Sequence, residues 1–203
     1  MFGFVCGLRR RGREGAGFFV PNSLRASMCL LLALVGSSAV RAEETPPSEY
    51  QVKAAFLFNF AKFVEWPAQA LPDARTPFTI GIIGKDPFEG ALERTVQDKT
   101  VNGHAFVVKQ VKAAAELKSC HILFIGASER KRLPEILNAV RGAGVLTVSE
   151  MDQFLESGGM IVFRMTGNKV RFEINDEAAR RGGLRISSKL LNLGRKTEHQ
   201  EAS

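Results

Sequence analysis

Cys120 and His121 are the one adjacent thiol and imidazole in the chain. A Cys–His couple is the kind of nucleophile–base combination that supports acyl transfer. These two are neighbours at the start of the apolar run Cys120-His-Ile-Leu-Phe-Ile125, where successive side chains of a strand point to opposite faces, so they make a poor catalytic pair. His104 and His199 bring neither a helical His pair nor a second cysteine, so no zinc-like spacing arises. No Gly-x-Ser-x-Gly elbow occurs. Gly81-Ile-Ile-Gly-Lys85 ends an apolar run, the place where an open α/β sheet holds ligands. It carries neither the third glycine of a dinucleotide fingerprint nor the Gly-Lys-Ser/Thr of a phosphate loop. Asp86-Pro87 fits a helix start instead, Asp86 as N-cap and Pro87 at the first helical position. The residue types call for no catalytic group, metal or cofactor, and the expectation is a protein that is not an enzyme. A ligand-binding alternative remains at the loops holding Gly84, Lys85 and Ser128.

These residues must be placed by a domain, and composition bounds it. The 203 residues hold 28 Lys+Arg against 21 Asp+Glu, a formal net charge of +7. The excess is local: Arg9, Arg10, Arg11, Arg13, Arg25 and Arg41 face only Glu14 in residues 1–42. Setting that segment aside leaves 22 basic and 20 acidic residues, a net of +2, and removes the case for a nucleic-acid partner. The short basic clusters Arg130-Lys131-Arg132 and Arg180-Arg181 read as solvated helix faces. Within residues 1–42, an arginine-bearing stretch precedes the apolar run 26–36, and Val40-Arg41-Ala42 offers a small-x-Ala cleavage site. The run is shorter than the roughly 20 residues of a membrane-spanning helix. The reading is a signal peptide over residues 1–42, cleaved near Ala42, and a soluble exported product beginning near Glu43. Cys6 and Cys29 leave with it, so Cys120 remains without an intramolecular partner: a buried small hydrophobe or the source of an intermolecular disulfide.

After a linker at 43–48, one α/β domain is expected over 49–193, with a polar tail at 194–203. The pattern predicts a helix from Glu49 to Trp66, N-capped by Ser48 and stopped by Pro67. Strands are predicted at Phe78–Gly84, Ala105–Val111, His121–Gly126, Val145–Val148, Met160–Met165 and Val170–Ile174. Helices are predicted near Pro87–Lys99, Ala113–Lys118, Glu129–Arg141 and Met151–Glu156, and from Asn175, its N-cap, with a break at Gly182-Gly183 and a resumption over Ser187–Leu193. Alternation of this kind gives a mainly parallel sheet flanked by helices. Thr166-Gly-Asn-Lys169 turns the last two strands into an antiparallel hairpin.

In the N-terminal helix, Gln51, Asn59, Lys62 and Glu65 form a polar stripe opposite Phe56, Phe60 and Phe63. Phe58 projects within the polar stripe, which calls for a second apolar surface: another element of the same chain, the C-terminal segment foremost, a dimer partner, or a different protein. Arg171 and Glu173 alternate outward from Phe172 and Ile174 on the hairpin and are the further candidates for partner contact.

Taken in order, several stretches resemble the YfiR-like periplasmic family. They are Tyr50-Gln-Val-Lys-Ala-Ala-Phe-Leu-Phe-Asn-Phe-Ala-Lys-Phe-Val-Glu-Trp-Pro67, Phe78-Thr-Ile-Gly-Ile-Ile-Gly-Lys-Asp-Pro-Phe88, Cys120–Ile125, Leu146–Ser149 with Gly158–Ile161, Val170–Asn175, Ala178-Ala179 and Gly183–Leu191. The resemblance implies a regulator that represses the periplasmic part of an inner-membrane diguanylate cyclase, lowering cyclic-di-GMP and biofilm formation. It also implies release by an outer-membrane peptidoglycan-binding lipoprotein, and homodimers. Some members carry a redox-responsive disulfide, for which Cys120 has no intramolecular partner here. A sensor kinase as membrane partner, tuned by a small-molecule-binding module, is the alternative.

Overall fold

The computed structural model describes residues 47–196, Ala74 apart. The signal peptide and cleavage site expected over residues 1–42, and most of the expected linker and polar tail, lie outside the described residues. Ser48 caps helix α1 (Glu49–Phe63) in a full capping box, its side chain accepting from the Gln51 amide while the Gln51 side chain accepts from the Ser48 amide. The helix stops three residues before Trp66. Val64 is extended, and the pair β1 (Val64–Glu65) joins β9 (Arg185–Ile186) as a two-stranded antiparallel sheet, while the Ser187 amide donates to the Phe63 carbonyl at 2.9 Å. Those backbone groups are spent on the C-terminal segment and cannot continue the helix.

The main sheet has eight strands in the order β10 (Arg195–Lys196), β8 (Lys169–Ile174), β7 (Ile161–Thr166), β6 (Leu146–Ser149), β5 (Ile122–Ile125), β2 (Phe78–Ile83), β4 (His104–Val111) and β3 (Thr100–Val101). Strands β4, β2, β5, β6 and β7 run parallel, and β7–β8 is the expected antiparallel hairpin, with Phe163 opposite Phe172. This is the mainly parallel α/β domain read from the pattern. Strands β2 and β5 are buried along their whole length, as near-continuous apolar runs covered on both faces must be. One core layer packs α1 on the sheet through Leu57 and Phe60 against Ile80, Phe124, Phe163 and Phe172. The other buries Ile83, Leu123, Ile125, Ile136, Phe154 and Val162.

Several expected elements differ. The helix foreseen from Pro87 begins only at α2 (Ala91–Val96), because Glu89 and Gly90 both have positive φ, and the Asp86 carboxylate closes a turn onto the Phe88 amide at 2.8 Å instead of capping a helix. Helix α3 (Ala114–Leu117) is a single turn, and the stretch 129–141 divides into a 3-10 segment, Ala127–Arg132, and α4 (Leu133–Ala139). The helix foreseen over Met151–Glu156 is not formed, and residues 152–158 are turns. Asn175 caps α5 (Asp176–Arg181), accepting from the Ala178 amide at 2.9 Å, and Ser187 caps α6 (Ser188–Leu193). Strand β10 falls in the segment foreseen as a tail and covers part of the outer edge of β8, so the hairpin is not a fully open edge.

Candidate functional site

Phe58 is half-buried at one flank of α1. Its ring lies 5.5 Å from Phe106 of β4, with the ammonium groups of Lys62 and Lys99 at 4.3 and 4.7 Å from the ring centre. The ring beside Phe58, tilted 58° to it, therefore comes from another element of the same chain, as one of the expectations had it, but from β4 and not from the C-terminal segment. Helix α1 buries Lys53, Ala54, Leu57, Phe60 and Ala61, so the buried arc is centred between Phe60 and Phe58, and Phe58 is one margin of it, Phe56 and Phe63 the other. An aromatic ring under two ammonium groups combines an apolar contact with a basic rim. A cleft of about 530 Å³ adjoins it, lined by Lys62, Trp66, Leu71 and Phe78.

Arg171 and Glu173 lie elsewhere. Arg171 is exposed and stands opposite Arg164 in the hairpin, and Arg164 reaches Asp152 at 2.8 Å and Glu173 at 3.7 Å. They point away from the sheet face that α1 covers, while Phe172 and Ile174 point into the core. The sheet thus separates Phe58, beside β4, from Arg171 and Glu173 on β8, and the three do not form one patch.

Gly84, Lys85 and Ser128 are brought together at the C-terminal ends of β2 and β5. The Lys85 amide donates to Ser128 Oγ at 2.9 Å, and the Gly84 carbonyl accepts from the Gln110 side chain at 2.6 Å. Gly84 has φ +87°, and a Cβ there would lie 2.4 Å from Ser128 Oγ. Gly81 is required for packing, since a Cβ would sit 2.5 Å from Cys120 Sγ. These glycines serve close approach within the loop and strand.

Cys120 and His121 do fall on opposite sides. Cys120 packs with Leu117, Leu123 and Val111, 4% exposed, and burial pushes its thiol up to about 11. A bridge from this sulfur to a second copy requires that corner to open first. His121 stacks on Phe78 at 4.6 Å, accepts from the Thr79 amide through Nδ1 at 3.0 Å, and meets the Ala70 carbonyl through Nε2 at 2.9 Å. That pairing makes Nε2 the protonated nitrogen of a neutral ring. Burial lowers its pKa, against the pull of the Ala70 carbonyl.

A polar centre that sequence reasoning missed lies inside α1. Lys53 is 3% exposed, yet bonds Glu49 and, at 2.5 Å, Glu150 just beyond β6, with its ammonium 4.6 Å from the Tyr50 ring centre. Desolvation pulls its pKa down, but the hydrogen bonds it donates to Glu150 and Glu49 and the charges of those carboxylates outweigh it, and the net direction is up. Tyr50 is pushed up by burial and by the Glu150 charge, and its hydroxyl meets that carboxylate at 3.4 Å. The only signal for this centre in the sequence is that Lys53 falls on the same side of the helix as Leu57 and Phe60.

Among the described residues no group of three His, Cys, Asp or Glu is arranged to hold a metal ion, and no helix is long and apolar enough to cross a membrane. Fold and surfaces together define a mixed α/β domain whose first helix is laid across a largely parallel sheet and leaves a basic-rimmed aromatic margin at one flank. The profile of the YfiR/HmsC-like family matches residues 50–195, and the chain belongs to that family.

Proposed function

We propose that this protein is a periplasmic regulator that binds the periplasmic part of an inner-membrane diguanylate cyclase and holds it inactive, lowering cyclic-di-GMP. It acts by binding and not by turnover. The observation that carries this reading is the family match across residues 50–195, nearly the whole described domain. Sequestration by an outer-membrane peptidoglycan-binding lipoprotein would release the cyclase. Repression of this kind is a population shift: turning a cyclase from 99% active to 99% inactive takes about 10⁴-fold tighter binding to the inactive state, about 5.5 kcal/mol.

The Phe58 margin supports a docking role. An aromatic centre flanked by Lys62 and Lys99 suits a partner surface with an apolar knob and acidic neighbours. The test is cyclic-di-GMP measured in cells lacking the protein and complemented with wild type, Phe58→Ala or Arg171→Ala, together with co-purification of the cyclase. Phe58→Ala is expected to leave the fold intact and weaken capture by about tenfold, about 1.4 kcal/mol, with cyclic-di-GMP rising. Unchanged cyclic-di-GMP on deletion of the whole protein would defeat the reading.

A further inference from the structure

At the N-terminal end of the parallel strands, remote from the Gly84–Lys85 loop, lies a cleft of about 690 Å³. Its size is within the roughly 300–1,000 Å³ of small-molecule sites. Thr79 and His121 line it at the sheet, Lys109, Lys118 and Ser119 on one side, and the glycine-bearing loops 142–144 and 182–183 on the other.

Two lysines line this cleft and no carboxylate does. Glu116, the acid nearest to them along the chain, is engaged at the start of α3, accepting from the amides of Lys112 and Ala113 at 3.1 and 3.0 Å. The Lys109 ammonium donates once, to Ser119 Oγ at 2.8 Å, which leaves donors to spare. Lys118 has no ion pair among the described residues.

Thr79 supplies an independent observation. It is 7% exposed, and its amide and carbonyl are both taken by His121, yet its hydroxyl has no partner among the described residues. No side-chain polar atom among those residues is sealed from solvent without a partner, so this hydroxyl opens into the cleft that Thr79 lines. A nearly buried, unspent hydroxyl in a cleft that two lysines also line is an arrangement that orients a bound anion. Beyond Gly142 and Gly182 the cleft adjoins a second one of about 480 Å³, whose lining adds Arg141.

We propose that this cleft binds a small organic anion, its carboxylate or phosphate held by Lys109 and Lys118 and oriented by the Thr79 hydroxyl, the Ser119 hydroxyl being spent on the Glu116 carbonyl at 2.7 Å. The test titrates the mature protein with citrate and, separately, with inorganic phosphate at constant ionic strength, sodium chloride serving as control. Calorimetry and thermal unfolding are read for wild type, Lys118→Gln, Thr79→Val and, as a variant on the far side of the molecule, Arg171→Gln. Saturation by citrate or phosphate, weakened at least tenfold in Lys118→Gln and Thr79→Val and retained in Arg171→Gln, is the expected result. Response to citrate alone assigns a carboxylate ligand, and response to phosphate alone a phosphate ester. Lys118 is exposed, so its variant tests the site even if Thr79→Val unfolds. No saturable effect of either probe, or an effect equal in all four proteins, overturns the proposal.

Discussion

The Lys53 ammonium lies 2.5 Å from a carboxylate oxygen of Glu150, across 97 residues of chain. The contact pins the first helix to the C-terminal end of β6, in a setting where the lysine is nearly inaccessible and the glutamate keeps part of its surface in water. That asymmetry decides which partner can be removed at lower cost.

Deleting one member of a buried pair costs about 3–5 kcal/mol because the other is stranded. Glu150→Ala strands the inaccessible ammonium with Glu49 alone, whereas Lys53→Met leaves two carboxylates that can rehydrate. Glu150→Ala is therefore expected to destabilise more than Lys53→Met, which should cost about 2 kcal/mol. Urea unfolding at pH 7 measures both, and the reverse order would contradict this account. Because the Lys53 pKa is raised by folding, its contribution is fully present below the unfolded value of 10.5 and is lost as pH rises through the higher folded value.

His121 gives a pH dependence on the acid side. Its folded pKa lies below the ordinary 6.5, so above that value both folded and unfolded states are neutral and stability does not depend on it. As pH falls below 6.5, the unfolded chain takes up a proton that the folded ring refuses, and stability declines until the folded pKa is passed. Denaturation midpoints at pH 7 and pH 5 should show the loss, and ring chemical shifts should report His121 taking up its proton at lower pH than a free histidine.

Cys120 should resist modification in the native state. A thiol held at about 11 has almost no thiolate at pH 8, and its sulfur faces Leu117 and Leu123. A disulfide-exchange reagent should react only as fast as the corner opens, and at full speed in denaturant. Fast stoichiometric labelling of folded protein would show the sulfur to be accessible.

Asn175 does more than cap α5. Its oxygen accepts from the Ala178 amide, and its nitrogen donates to the Leu155 carbonyl at 3.3 Å in the turn before β7. Asn175→Ala should cost about 2 kcal/mol, more than the roughly 1 kcal/mol of an exposed cap, while Asn175→Asp should retain the cap alone.

The layers of this domain were legible because apolar runs and turn residues speak for themselves: Ile80–Ile83 and Ile122–Ile125 read as doubly covered strands, and Thr166–Lys169 as a hairpin turn. Residues whose state depends on distant chain were not. Val64 and Glu65 look like the end of a helix until Arg185 and Ile186 arrive beside them. Lys53 looks like a surface lysine until Glu150 is placed. Phe58 was singled out because it broke the helical stripe, but its neighbour Phe106 lies on a strand that the helix alone cannot reveal. The Thr79 cleft gave no signal, since a threonine within an apolar run is ordinary in a strand.

The pairing of β1 with β9 also orders events in time. The groups that secure the exit of α1, Arg185, Ile186 and the Ser187 amide, are among the last of the described residues to be synthesised, and Phe172, on which Phe60 rests at 5.2 Å, comes shortly before them. The exit of α1 therefore stays unpaired until synthesis is almost finished, although Leu57 and Phe60 meet Ile80, Phe124 and Phe163 earlier, and long-range closure of this kind is slow. The two-stranded sheet is thus the clasp that shuts last, and the fold is complete only when the C-terminal segment has been delivered to it.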